Sequence, residues 1–231
     1  RFLRVACLTG IGLSLCVKHI LFVFPLWLAF KEKSWSRKLL LLLTPYCIFA
    51  FSFISYIPDG YSGIVKNVFL YRAFNNAPLW SAILPNVIFS STPTILLFVG
   101  AMVLIGYYLR KRSSLESLHI YLISLVAFSS AISNQALAIP VPSIAVFWNW
   151  GYALYTSVGG LYLIVEKNGL HVAVMQHLVR WDDRWNNLWI NGFMKSYVFE
   201  LLAFLLVAGL FITLADHKKI KKIWGSFGRR Y

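Results

Sequence analysis

The chain has 231 residues, 59% of them hydrophobic and 13% charged, with a mean hydropathy of +0.68. A soluble domain carries about 25% charged residues, so the composition argues against a soluble globular protein. The apolar residues come in runs long enough to cross a bilayer, which needs roughly 20 residues as helix, and they predict an all-α polytopic transmembrane bundle of about 6–7 membrane segments. A β-barrel would instead give short segments of alternating polarity.

The net charge of +14 arises from 22 basic and 8 acidic residues. Its distribution says more than its size. Lys31, Lys33, Arg37 and Lys38 form one cluster, Arg110, Lys111 and Arg112 a second, and the basic residues of 218–230 a third. Each follows an apolar run, as the positive-inside pattern requires, so all three are expected at the cytoplasmic face and nucleic acid is not an expected partner.

In chain order, the first apolar run covers 5–30 and is interrupted by Lys18 and His19. A charge inside a span costs at least ~2.5–3.5 kcal/mol on insertion scales unless it faces protein or water. Residues 5–17 are therefore either a half-span surfacing at Lys18 or part of one long span that buries the pair for function. Simple snorkelling of Lys18 to an interface is the competing account. Residues 31–38 return to the cytoplasmic side, and 39–57 cross outward, with a kink expected at Pro45.

The stretch 56–81 is the longest non-helical-looking insert between apolar runs, and it is expected outside. Pro58, Gly60, Gly63 and Pro78 punctuate it, and Asp59, Lys66, Arg72, Asn75 and Asn76 lie among aromatics. Residues 83–109 then cross back, with Pro85 and Pro93 near the start, and 118–132 cross outward to end at Ser133-Asn134-Gln135.

Residues 136–165 are long for one span and short for two, with Pro140, Pro142 and Asn149-Trp150-Gly151 as possible breaks. An even number of crossings must separate two cytoplasmic basic clusters, which favours two short crossings here. Residues 166–195 become an outer loop whose Arg180-Trp181-Asp182-Asp183-Arg184-Trp185 segment reads as an interfacial helix. A last span at 198–215 leads to a basic cytoplasmic tail. The chain is read as a single integral membrane domain over 1–231. Because it starts at Arg1, it is expected to be the C-terminal part of something longer.

Soluble-enzyme motifs are missing: there is no phosphate loop, GxSxG or HExxH. His171 and His177 are six apart, poor helical spacing for a shared metal, so no metal is expected. Cys7, Cys16 and Cys47 lie in apolar runs without a CxxC pair and are expected to be buried thiols. Asp182 and Asp183 have Arg180 and Arg184 as counter-ions, which favours a solvated loop over a catalytic pair, and Glu200 fits an interfacial position.

Three places stand out. Lys18-His19 supplies a cation and an imidazole near a membrane face. Lys66 and Arg72 lie in the outer loop, and the arginine fork suits phosphate oxygens bidentately. Ser133, Asn134 and Gln135 add neutral donors and acceptors on the same expected side. Ordinary interfacial anchoring would explain any one of them. Together they could hold a lipid-linked phosphate at the bilayer surface while its sugar projects outward.

Residues 14–25 (SLCVKHILFVFP) resemble a segment of the GT-C glucosyltransferases of lipid-linked oligosaccharide assembly, in which a lysine followed by His or Gln leads into aromatics and proline. Residues 68–74 (VFLYRAF), ending at Trp80, resemble the luminal loop of that family. Residues 132–140 (ISNQALAIP) align with its Val-His-Glu-Lys segment, with Ser133, Asn134 and Gln135 standing where the family has histidine, glutamate and lysine.

The resemblance spans roughly 13–165 with the three segments in the family's order. It implies a GT-C-like C-terminal half and a polyprenyl- or dolichyl-phosphate-linked sugar as partner. Transfer would be inverting, on the extracytoplasmic or luminal side, without metal or other cofactor. Lys18, His19, Arg72 and Gln135 would bind the donor phosphate, with Lys66, Ser133 and Asn134 in support. The catalytic base, a carboxylate in the family's first outer loop, is expected outside this chain.

The expected location is the cytoplasmic membrane of a prokaryote or the endoplasmic reticulum membrane of a eukaryote. A non-catalytic transporter or flippase of polyprenyl-linked sugars would need the same phosphate contacts and no base. A structural membrane subunit would need neither.

Overall fold

The computed structural model describes residues 2–66, 75–76, 78–83, 91–165 and 197–216, and these are mostly helical. In chain order come α1 (Phe2–Val17), a 3-10 turn at His19–Leu21, α2 (Phe24–Lys31), α3 (Trp35–Phe51), a second 3-10 turn at Ile54–Tyr56 and α4 (Ile57–Ile64). A two-residue strand β1 (Asn75–Asn76) precedes α5 (Pro78–Ile83), α6 (Ser91–Tyr108) and α7 (Ser114–Ala127). Strand β2 (Ala131–Ile132), a 3-10 turn at Asn134–Ala138, α8 (Val141–Val146), α9 (Trp150–Val165) and α10 (Val198–Ala215) complete the order.

Two described helical stretches are long and apolar enough to cross a bilayer: Trp35–Ile64, which contains an 18-residue window of mean hydropathy 1.9, and Val198–Ala215, with 2.5. A third candidate is the pair Val5–Val17 and His19–Lys31, bent by 119° at Lys18. Thr94–Tyr108, Ser114–Ala127 and Asn134–Val146 are apolar but shorter.

The chain divides into two compact units, one of Arg1–Phe74 with Leu96–Tyr121 and one of Asn75–Ile95 with Leu122–Tyr231. In the first, α1 and α2 both pack on α3. Gly12 permits the α1 contact, because a Cβ there would lie 2.8 Å from Ile48. Trp27 of α2 is fully buried, and its indole N–H donates to the Met102 carbonyl at 2.9 Å, which supplies the partner a buried tryptophan needs. Gly106 makes room for that ring, since a Cβ at this position would stand 2.5 Å from Trp27 Cδ1.

The core of the second unit is the crossing of α9 and α10. Gly151 and Gly209 bring the backbones together: a Cβ on Gly151 would lie 2.6 Å from the Gly209 nitrogen. Small residues at such a crossing let dispersion and polar contacts replace the hydrophobic drive that lipid removes. Asn149 then bridges the helices, donating to the Gly209 carbonyl at 3.0 Å and to Thr213 Oγ1 at 3.1 Å. Its Oδ1 accepts the Tyr152 backbone N–H at 3.2 Å, a side-chain cap on the start of α9.

Several expectations change. The 56–81 insert is helical at both described ends, as α4 and α5. Pro58 and Pro78 begin these helices rather than preventing them, because a first-turn residue has no intrahelical N–H bond to lose. The three cysteines are exposed, not buried: α1 and α3 are apolar on their outward as well as their inward faces, so an apolar run need not point its thiols inward. Within 136–165 the helix breaks fall at Pro140 and before Trp150. The predicted outer loop 166–195, including Arg180, Asp182, Asp183, Arg184, His171 and His177, lies outside the described residues, as do the basic tail from 217 onward and Arg72.

Candidate functional site

The first candidate is the break after α1. Lys18 is extended, with φ −155° and ψ 130°, and its N–H makes the last helical bond, to the Ser14 carbonyl at 2.9 Å. Ending the helix here spares it from carrying a charge and an imidazole onward through an apolar run. The break exposes backbone groups that need partners, and two tyrosines provide them. Tyr121 donates to the Ile20 carbonyl at 2.8 Å and accepts the Val23 N–H at 3.2 Å. Tyr46 donates to the Phe22 carbonyl at 2.6 Å.

Aromatic rings fix the turn from the sides. His19 meets Phe49 edge-on at 5.2 Å, and Phe22 packs between Tyr46 at 5.3 Å and Phe49 at 6.0 Å. Tyr121 is itself wedged against Phe24 and Trp27. The backbone of the bend is thus satisfied by other groups, while the side chains of Lys18 and His19 are both exposed. An ammonium and an imidazole presented side by side can bind an anion, and the imidazole can also exchange a proton.

The second candidate lies where β1 and β2 pair. Asn75 stands opposite Ile132 and Asn76 opposite Ala131 in an antiparallel register. This pairing brings the end of the predicted outer loop beside Ser133, Asn134 and Gln135. Trp80 anchors the same junction, its indole N–H donating to the Phe128 carbonyl at 2.9 Å.

Ser133 is extended, with φ −117° and ψ 162°, and Asn134 and Gln135 open the 3-10 turn that follows. Asn134 Oδ1 accepts the Tyr162 hydroxyl at 3.3 Å, and Tyr155 donates to the Leu137 carbonyl at 2.7 Å. Ile132, Leu137, Tyr155 and Leu202 form a buried apolar floor beneath. Gln135 is exposed, so its amide is the member of the triplet most available to a ligand, whereas Asn134 is engaged in holding the turn.

Lys66 is exposed just beyond α4. It belongs with Lys18 and His19 to the first unit; Ser133, Asn134 and Gln135 belong to the second. Tyr46, Tyr121, Tyr155 and Tyr162 were not singled out from the sequence. A usable signal was present, since a tyrosine inside an apolar run carries a hydroxyl that must find a partner.

Comparisons with protein-family models, with curated proteins and with solved structures give no match for this chain. The class that can be stated is therefore a structural one: the described residues are mostly helical and include two helices long and apolar enough to cross a membrane.

Proposed function

We propose that this chain is the donor-binding membrane half of a GT-C-type glycosyltransferase, with about six or seven membrane segments once the shorter apolar helices are counted as partial spans or as spans of a locally thinned bilayer. It would transfer a sugar from a polyprenyl-phosphate donor to an acceptor on the extracytoplasmic or luminal side.

The observation that supports the reading is the junction of β1 and β2, which pairs Asn75-Asn76, next in sequence to the segment resembling the family's luminal loop, with Ala131-Ile132, next in sequence to Ser133-Asn134-Gln135. Exposed Lys18 and His19 at a helix break add a cationic feature of the kind the reading requires. In this mechanism Arg72, Lys18 and His19 stabilise the negative charge that grows on the departing lipid phosphate. Contacts that strengthen as negative charge develops on the phosphate in the transition state, relative to the intact donor, are what accelerate transfer.

The test is sugar transfer from a labelled polyprenyl-phosphate sugar by membranes containing the full protein and its Arg72→Ala variant. Transfer should fall by at least 100-fold on the order expected for removing a charge-stabilising donor, with the amount of folded protein unchanged. Near wild-type turnover removes Arg72 from the mechanism. Lipid movement across proteoliposomes without sugar transfer would assign the same contacts to a transporter.

A further inference from the structure

One end of the first unit carries charge that its own packing does not use. The α2–α3 connection and the α6–α7 connection meet there: Lys31 Nζ donates to the Arg112 carbonyl at 2.6 Å, and the rings of Phe30 and Tyr107 contact edge-on at 5.8 Å. The join gathers seven cations, Lys31, Lys33, Arg37, Lys38, Arg110, Lys111 and Arg112, against two carboxylates, Glu32 and Glu116.

Those carboxylates are already engaged. Glu116 is buried and pairs with Arg112, and Glu32 lies 3.7 Å from Arg37. Lys33, Lys38, Arg110 and Lys111 form no ion pair among the described residues. Two of them lie over aromatic faces instead, Arg110 at 4.1 Å from the Tyr107 ring and Lys38 at 4.7 Å from the Trp35 ring. Trp35 is 76% exposed and Tyr108 82% exposed.

Exposed tryptophan and tyrosine beside unpaired lysine and arginine are the composition of a membrane-water boundary, where the ring sits among headgroups and the cation meets phosphate. Local helix stability does not explain the charges. Arg37 and Lys38 fall at the start of α3, whose first turn has no acidic residue, and there the helix dipole disfavours cations.

We propose that this end of the first unit is a binding surface for anionic phospholipid headgroups of the bilayer in which the protein sits, with Lys33, Lys38, Arg110 and Lys111 as the phosphate contacts and Trp35 and Tyr108 as interfacial anchors. The inference rests on the membrane reading and not on glycosyl transfer.

The test is native mass spectrometry of the detergent-solubilised full chain equilibrated with equal amounts of phosphatidylglycerol and phosphatidylcholine. Wild type should retain phosphatidylglycerol in preference, and the preference should weaken as ionic strength rises. The combined variant K33Q/K38Q/R110Q/K111Q should lose about tenfold or more of that preference and keep its retention of phosphatidylcholine. A charge-keeping variant, K33R/K38R/R110K/K111R, should retain the preference and shows whether any loss came from misfolding. Equal retention of both lipids by wild type overturns the proposal, as does an undiminished preference in the glutamine variant. Retention of neither lipid would instead overturn the membrane reading.

Discussion

Polar residues interrupt apolar sequence both at Lys18-His19 and at Asn149, yet the protein treats the two places in opposite ways. At Asn149 the polar groups are consumed. Asn149, Tyr152 and Thr213 bond to one another and to the Gly209 carbonyl, and Tyr152 is fully buried. At Lys18 the helix ends, its open backbone groups are taken by Tyr46 and Tyr121, and the cation and the imidazole face outward. A polar group whose bonding capacity is used up by packing acts as a structural clamp. One that is held in place by others, with its own side chain free, is available to a ligand. That difference, rather than the presence of polar residues in apolar runs, separates a candidate site from a core.

The sharpest way to break the comparison is to attack the clamp. A Cβ on Gly209 would collide with the Tyr152 ring, and the nearby Gly151 backbone leaves α9 little room to retreat. Overpacking of this kind costs about 1–3 kcal/mol or more, so Gly209→Ala should lower the unfolding midpoint in detergent more than any other substitution considered. Combining it with Tyr152→Ala should recover part of the loss, because the two changes share one contact and cannot add independently. A fully stable Gly209→Ala protein would mean that α9 and α10 do not cross as described.

At the other region the vulnerable residue is the supporting tyrosine. Tyr121→Phe keeps the ring contacts with Phe24 and Trp27 but leaves the Ile20 carbonyl and the Val23 N–H without their partner. Unsatisfied groups of this kind cost about 1–3 kcal/mol. The expected result is a destabilisation of about 2 kcal/mol, read by thermal unfolding in detergent. It should come with faster proteolysis near the bend. An unaffected protein would show that the break holds itself and needs no tyrosine.

Much of this arrangement could be read from residue order, and some could not. The helix break at Lys18 follows from the cost of a charge within an apolar run, and the breaks at Pro140 and before Trp150 follow from proline and the Asn149 cap. The helical character of 57–64 was hidden because Pro58, Gly60 and Gly63 look like turn residues until Pro58 is recognised as a first-turn proline. Which faces of the helices are inward was not legible either: uniformly apolar α6 and α10 give no polar side to orient them, and the apolar runs of α1 and α3 gave no sign that Cys7, Cys16 and Cys47 point outward. The pairing of Asn75-Asn76 with Ala131-Ile132 is a long-range contact of two residues, too short to leave any periodic signal. Trp80 gave the better hint, since its indole N–H had to find an acceptor somewhere.

The smallest effect on stability, and the one that sharpens the comparison most, belongs to the exposed pair. Among the described residues, Lys18 and His19 contribute to the bonds that close the bend only through their backbone, and the His19 ring meets Phe49 edge-on. Exposed side chains of this kind change stability by no more than about 0.5 kcal/mol when replaced, so Lys18→Gln should unfold at the wild-type temperature. Binding should respond differently. If the bend presents its cation to a lipid-linked phosphate, Lys18→Gln should weaken retention of a polyprenyl-phosphate sugar about tenfold, the scale of one lost charge-assisted hydrogen bond. Retention of the uncharged polyprenol should not change. A variant that loses stability but not donor retention would place Lys18 with Asn149, among the polar groups spent on structure. A variant that changes neither would leave it as an interfacial anchor. Only loss of donor retention at unchanged stability fits a helix that is broken in order to present a charge.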